Sequence, residues 1–75
     1  MIIYDIKLNT IDDVKRFNAA CMKLPYNVDL RSGRYVIDAK SIMSIFGLDL
    51  SHSVEMCLHT TEYDITPFEE FIVFK

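Results

Sequence analysis

Apolar and polar residues alternate along this chain with two different periods. Period two, typical of a strand with one buried face, runs through residues 2–8 and again through residues 53–60. Two shorter strands are predicted at 27–31 and 34–38, because they flank Ser32-Gly33, a dipeptide typical of hairpin turns. The pattern therefore predicts four strands, two of them joined as a hairpin.

A first helix is predicted between the first two strands. Helical spacing gives it one inward face made of Ile11, Val14, Phe17, Cys21 and Leu24. Thr10 is the expected N-cap, and Asp13, three residues later, completes a capping-box pattern with Asp in place of Glu. Pro25 cannot continue the helix, so the helix should end before it.

Two more helices follow later in the chain. Residues 39–46 predict a short helix with Gly47 as its C-cap. Thr66-Pro67 is a typical helix start, so a short last helix is expected there, although residues 71–74 also fit a strand. The phenylalanines of this tail either cover the core or form a dimer contact, and they are Phe68, Phe71 and Phe74.

The order β-α-β-β-α-β-α predicts an α+β fold, with two or three helices on one face of a sheet. The chain has 75 residues, which is enough for a single domain spanning residues 1–75. A domain this small buries only about 60% of its unfolded surface and needs an apolar-rich core. A hydrophobic fraction of 51% meets that need.

Charge and glycine content exclude several classes of function. The net charge of −3 argues against nucleic-acid binding, which calls for a basic excess. Two glycines cannot form a phosphate-binding or dinucleotide-binding loop. No uncharged stretch approaches the roughly 20 apolar residues of a membrane span, and the first residues lack the basic start of a signal peptide. We expect a cytoplasmic protein with Cys21 and Cys57 reduced.

The sequence shows no constellation that would make an enzyme. Cys57 and His59 would share one strand face, but zinc needs four ligands, or three and a water. Asp12 and Asp13 are adjacent and would point about 100° apart on a helix, so they do not form an acid–base pair. We therefore expect no enzyme activity, no cofactor and no bound metal.

Residues 38–48 carry a family resemblance. They contain Lys-Ser-Ile-Met at positions 40–43, followed by a short apolar helix and Gly47. Together with the element order, and with segments 27–30 and 54–58, this resembles HPr, the histidine-containing phosphocarrier of the bacterial sugar phosphotransferase system, over residues 1–62. The resemblance implies the open-faced β-sandwich of that family, with four antiparallel strands.

The family's phosphate-carrying site is changed in this sequence. Alignment back from Phe17 implies that Thr10 stands at the phosphohistidine position, Asp12 at the arginine position and Asp13 at the proline position. A phosphohistidine would use the helix amides and an arginine to hold its oxygens. Two carboxylates in the first turn oppose that, so we expect no phosphate transfer through histidine.

The family's second site is kept. In many Gram-positive HPr proteins, an ATP-dependent HPr kinase phosphorylates the serine of the Lys-Ser-Ile-Met motif. This serine corresponds to Ser41. Ser41 is equally well interpreted as an ordinary helix N-cap. Ile42, Met43 and Phe46 would form an apolar patch that meets a protein partner, or else part of the core.

These observations predict an HPr-related binding or regulatory module of the phosphotransferase system. Its partner would be a protein of that system or a regulatory protein, with Ser41 as the site of any phosphorylation. Two alternatives stay open. One is a phosphocarrier that uses another residue, such as His52; the other is a structural or oligomeric domain, including a homodimer, that uses only the fold.

Overall fold

The computed structural model of the chain describes residues 1–73, which form an α+β arrangement. Four strands build one antiparallel sheet: β1 (Ile2–Ile6), β2 (Val28–Ser32), β3 (Tyr35–Asp38) and β4 (Val54–Leu58). Three helices accompany it: α1 (Ile11–Met22), α2 (Ile42–Phe46) and a C-terminal 3₁₀ helix (Thr66–Phe71). The predicted element order, and the open antiparallel sheet, are confirmed.

The strand order in the sheet is β1-β4-β2-β3, so β4 lies in the middle although it is last in sequence. Alternate strand residues point to the core under the helices, among them Ile6, Leu30 and Met56. Their neighbours in sequence point to the other face of the sheet, which no helix among residues 1–73 covers. This arrangement explains the period-two pattern of the strands.

The C-terminal 3₁₀ helix seals one side of the core. Phe68 and Phe71 are buried, and their rings lie 5.6 and 5.7 Å from the ring of Phe17 in α1. Tilted and edge-on rings at this spacing attract one another in addition to excluding water. The interpretation of these two phenylalanines as a core cover is confirmed, and neither is available for a dimer contact. Phe74 lies outside the described residues.

The chain after the 3₁₀ helix runs along the outer edge of β1. Ile72 forms an antiparallel bridge with Ile6, and the backbone N–H of Val73 donates to the carbonyl of Asp5 at 2.9 Å. The N–H of Lys7 donates to the carbonyl of Phe71 at 2.8 Å. The sequence left helix and strand open for residues 71–74. The structure shows the helix continuing through Phe71 and extended, strand-like pairing at Ile72.

Three local expectations need correction. Ile11 is 65% exposed and does not belong to the inward face of α1. At about 100° per residue it lies about 120° around the helix from Phe17, outside the buried stripe. The hairpin turn is Gly33-Arg34, one residue later than expected, because Gly33 adopts a φ of +60° that favours glycine at the first turn position. The second helix begins at Ile42, three residues later than expected, because Ser41 at its N-cap is still in an extended conformation.

Candidate functional site

The start of α1 is closed by the chain's own side chains. Thr10 Oγ1 accepts a hydrogen bond from the N–H of Asp13 at 3.0 Å, and Asp13 Oδ2 accepts from the N–H of Thr10 at 3.3 Å. This confirms the predicted capping box. Asp13 Oδ2 also accepts from the N–H of Asn9 at 2.9 Å. Three amides at this helix end therefore already have acceptors within the chain, those of Asn9 and Thr10 in the Asp13 carboxylate and that of Asp13 in the Thr10 hydroxyl.

The same contacts shift the ionisation of Asp13. The hydrogen bond from the Asn9 amide is the main cause of a lowered pKa, with smaller contributions from Thr10 and from the charge of Arg16. Bonds to the charged form favour that form, so Asp13 is an anion at neutral pH. A second anion placed on Thr10 would lie directly beside it.

Arg16 links α1 to the C-terminal 3₁₀ helix. Its guanidinium contacts Asp12 at 3.1 Å, Asp13 at 2.6 Å and the carboxylate of Glu70. It also lies over the ring of Phe71, 5.7 Å from the centroid. Arg16 is thus not a free cation, because three carboxylates of the protein hold it. No local sequence pattern indicates the contact with Glu70, which is 54 residues away.

Ser41 stands at the N-cap position of α2 but does not cap it. Its side chain makes no hydrogen bond to the helix amides. Instead, the hydroxyl of Ser44 donates to Ser41 Oγ at 3.1 Å, and Ser41 is half-buried. The side chain of neighbouring Lys40 is turned away, because its ammonium donates to the carbonyl of Leu24 at 2.8 Å. The position expected for Ser41 as an N-cap is confirmed, whereas the capping bond is not formed.

The predicted apolar patch is partly on the surface. Met43 is 77% exposed and Phe46 is 42% exposed, whereas Ile42 is half-buried and packs against the core. Ile45 is fully buried and provides the inward contact of α2. Of the three predicted partner-binding residues, Met43 and Phe46 therefore offer most of the accessible surface.

The structure adds Ile11 to this surface. Phe46, Ile11 and Thr10 line one open cleft of about 340 Å³, together with the segment around Leu50 and Ser51. Met43 does not line this cleft but lies one helical turn before Phe46 on α2, and we call Ile11, Met43 and Phe46 the α1–α2 apolar surface. The helical spacing in the sequence pointed Ile11 inward, and only the neighbouring position of α2 shows that it belongs with Phe46.

A second open cleft, of about 560 Å³, lies between the β2–β3 hairpin and the end of α2. Tyr35, Ile37 and Leu48 supply its apolar wall, and Arg34 and Asp49 stand at its rim. The sequence analysis did not identify it, because its walls come from segments that are distant in sequence. Tyr35 is 69% exposed there.

The histidines and cysteines do not form a site. His52 is exposed in a loop, with its Nε2 3.9 Å from Asp49, and His59 Nε2 lies 2.6 Å from Asp29. Both cysteines are free and buried. Burial raises the pKa of Cys21 to about 12. In the described part of the chain, no three His, Cys, Asp or Glu side chains come together as metal ligands would.

Comparison of the chain with protein-family models, with curated proteins and with solved structures finds no match. The similarity to HPr accordingly stays a prediction. No helix among residues 1–73 is long and apolar enough to cross a membrane.

Proposed function

We propose that this protein is an HPr-related, cytoplasmic binding or regulatory module of the bacterial phosphotransferase type that does not carry phosphate on histidine. The observation that carries the proposal is the α1–α2 apolar surface beside a helix start where the Asp13 carboxylate already accepts from the amides of Asn9 and Thr10. Met43 is 77% exposed, although it is a large apolar side chain in a chain with a complete core. Exposed Met and aromatic side chains are typical of surfaces that bind protein partners.

Loss of the carrier function follows from the contacts of Thr10. A phosphoryl group there would need free amides and a free cation. The N–H groups of Asn9 and Thr10 donate to Asp13 instead. Arg16 is held by its three carboxylates. We therefore propose a protein without enzyme activity or cofactor, which functions by binding to a protein partner.

Ser41 is the proposed site of regulation. Its hydroxyl is not needed to cap α2, so modification would not remove a capping bond. A phosphoryl group would add about −1.5 to −2 charges at neutral pH. Ser41 is two positions from Met43 and five from Phe46 in the sequence. Charge at that distance would change the affinity of the α1–α2 apolar surface for a partner.

Phosphorylation in two parallel reactions tests the proposal. The protein is incubated with ATP and an HPr kinase, and separately with phosphoenolpyruvate and Enzyme I, and its intact mass is measured. We expect one phosphoryl group in the ATP reaction only. Ser41→Ala should abolish this phosphorylation. Ser44→Ala, which removes the hydroxyl that donates to Ser41, should retain it.

A second comparison tests the surface itself. Met43→Ala should slow the kinase reaction if the kinase docks there, whereas Met22→Ala, which changes an exposed methionine on α1, should leave the rate unchanged. Labelling by phosphoenolpyruvate would overturn the proposal in favour of a carrier that uses another residue, such as His52. Absence of label in both reactions would overturn the role of Ser41 and favour a structural or oligomeric domain.

A further inference from the structure

The two edges of the sheet differ. The outer edge of β1 is covered by the segment at Ile72 and Val73. The outer edge of β3 is paired with no strand among residues 1–73. A sheet edge with exposed backbone groups is a template for pairing with another strand.

The outward-facing backbone groups of β3 follow from its register. The N–H of Ala39 donates to the carbonyl of Val28 in β2 at 2.9 Å. Because antiparallel bonding alternates, Ile37 and Tyr35 also direct their backbone groups toward β2. Val36 and Asp38 then direct theirs outward, where the carbonyl of Asp38 already accepts from the N–H of Ser41 at 3.0 Å. The centre of the free edge is therefore the N–H and C=O of Val36.

The exposed side chains along this edge are apolar or aromatic, as is typical of a protein interface. Tyr35 and Val36 are 69% and 59% exposed, and both residue types favour strands. No charge or proline interrupts positions 35–37, although such residues usually protect an open edge.

The charges at the two ends of β3 identify the occupant. Arg34 precedes the strand by one residue and Asp38 ends it, so the two lie symmetrically about Val36. Neither side chain takes part in an ion pair within residues 1–73, and Asp38 Oδ1 accepts a hydrogen bond from the backbone N–H of Lys40 at 2.8 Å. Asp38 also lies directly across from Asp29, an unfavourable pair of like charges, and the His59 ring pairs with Asp29, its Nε2 lying 2.6 Å from Asp29 Oδ2.

We propose that β3 pairs with β3 of a second copy of this chain, antiparallel and centred on Val36. In this register Val36 faces its own copy across a two-fold axis and exchanges both backbone hydrogen bonds with it. Arg34 of each copy reaches Asp38 of the other. Tyr35 packs across from Ile37 of the other copy, at the mouth of the cleft that both residues line.

The dimer joins two four-stranded sheets into one of eight strands, with both helical layers on the same face. It does not use the α1–α2 apolar surface and does not depend on the proposed function. A four-residue strand buries less surface than the roughly 1,200 Å² of a standard complex, so the dimer is weak and forms at high protein concentration.

Sedimentation equilibrium over about a 100-fold concentration range, up to millimolar chain, tests the wild type. We expect reversible dimerisation there. Arg34→Glu and Asp38→Arg should each weaken it by about 10-fold or more, because two ion pairs per dimer become repulsive. An equimolar mixture of these two variants should regain the wild-type affinity, since opposite charges then meet at both ends of the paired strands.

Val36→Lys provides an independent variant that leaves both charged ends intact. It should abolish the dimer, because two ammonium groups would meet at the axis. Ile3→Lys, an exposed apolar residue on β1, is its matched control and should dimerise like the wild type. Circular dichroism of each variant establishes that it is folded. A wild type that stays monomeric at millimolar concentration, or a mixture no tighter than its components, would overturn the proposal.

Discussion

Phe68 is the most deeply buried side chain of the C-terminal 3₁₀ helix, and it packs on Phe17 with ring centroids 5.6 Å apart. Its replacement by alanine would leave a cavity between that helix and α1. Buried Phe→Ala changes cost about 3–5 kcal/mol. A chain of this length has a total stability of about 4–11 kcal/mol, so the variant would lose a large part of it.

Urea unfolding followed by far-UV circular dichroism measures this loss. For a small domain with a denaturant dependence of about 1–1.5 kcal/mol per molar, the midpoint should fall by about 2–5 M. Phe46→Ala is the matched control, because Phe46 is partly exposed on α2, and its cost should stay near 1 kcal/mol or below.

Phe68→Leu covers the case in which the alanine variant does not fold. Leucine fills most of the space, and we expect a loss of about 1–1.5 kcal/mol. If Phe68→Ala costs no more than Phe46→Ala, the 3₁₀ helix does not dock on α1 in solution and the reasoning is refuted.

Three further predictions concern the capping box, the thiols and the hairpin. Thr10→Ala should lower the free energy of unfolding by about 1 kcal/mol, with Ser in place of Thr retaining it. The lowered pKa of Asp13 stabilises the fold above the unfolded-state value near 3.8, and this contribution is lost as pH falls through the lower folded value. Asp13→Asn should therefore flatten the acid side of a stability–pH curve, and an unchanged curve would contradict the assignment. Cys21 and Cys57 should not react with a thiol reagent at pH 8 in the folded protein and should react fully in denaturant; rapid labelling of the native protein would show that their burial is wrong. Gly33→Ala should cost about 1 kcal/mol because of the positive φ, although no atom lies within 4 Å of the added methyl; a neutral effect would argue for a different turn.

Local patterns were sufficient for most of the fold. Strand alternation, the Thr10–Asp13 capping box and the hairpin glycine each depend on residues a few positions apart. Ile11 was misplaced because helical spacing gives an angle but not the extent of the sheet beneath the helix. The pairing of Ile72 with Ile6 could not be predicted, since it depends on residues 66 positions apart in sequence.

The candidate site was predicted less completely, for the same reason. The motif at residues 40–43 pointed to Met43 and Phe46, and both are exposed. The contact of Arg16 with Glu70 joins segments that no local pattern relates. The lack of a capping bond at Ser41 depends on the rotamer that brings Ser44 to it.

The central position of β4 constrains the order in which this protein can fold. Among residues 1–73, β1 pairs only with β4 and with the segment at Ile72. During synthesis β1 and α1 would emerge first, yet β1 has no strand to pair with until residue 58 has left the ribosome. The β2–β3 hairpin can form early, but the sheet closes only when the last strand inserts between two older ones. We therefore expect folding to be all-or-none, with a rate set by this late insertion rather than by helix formation.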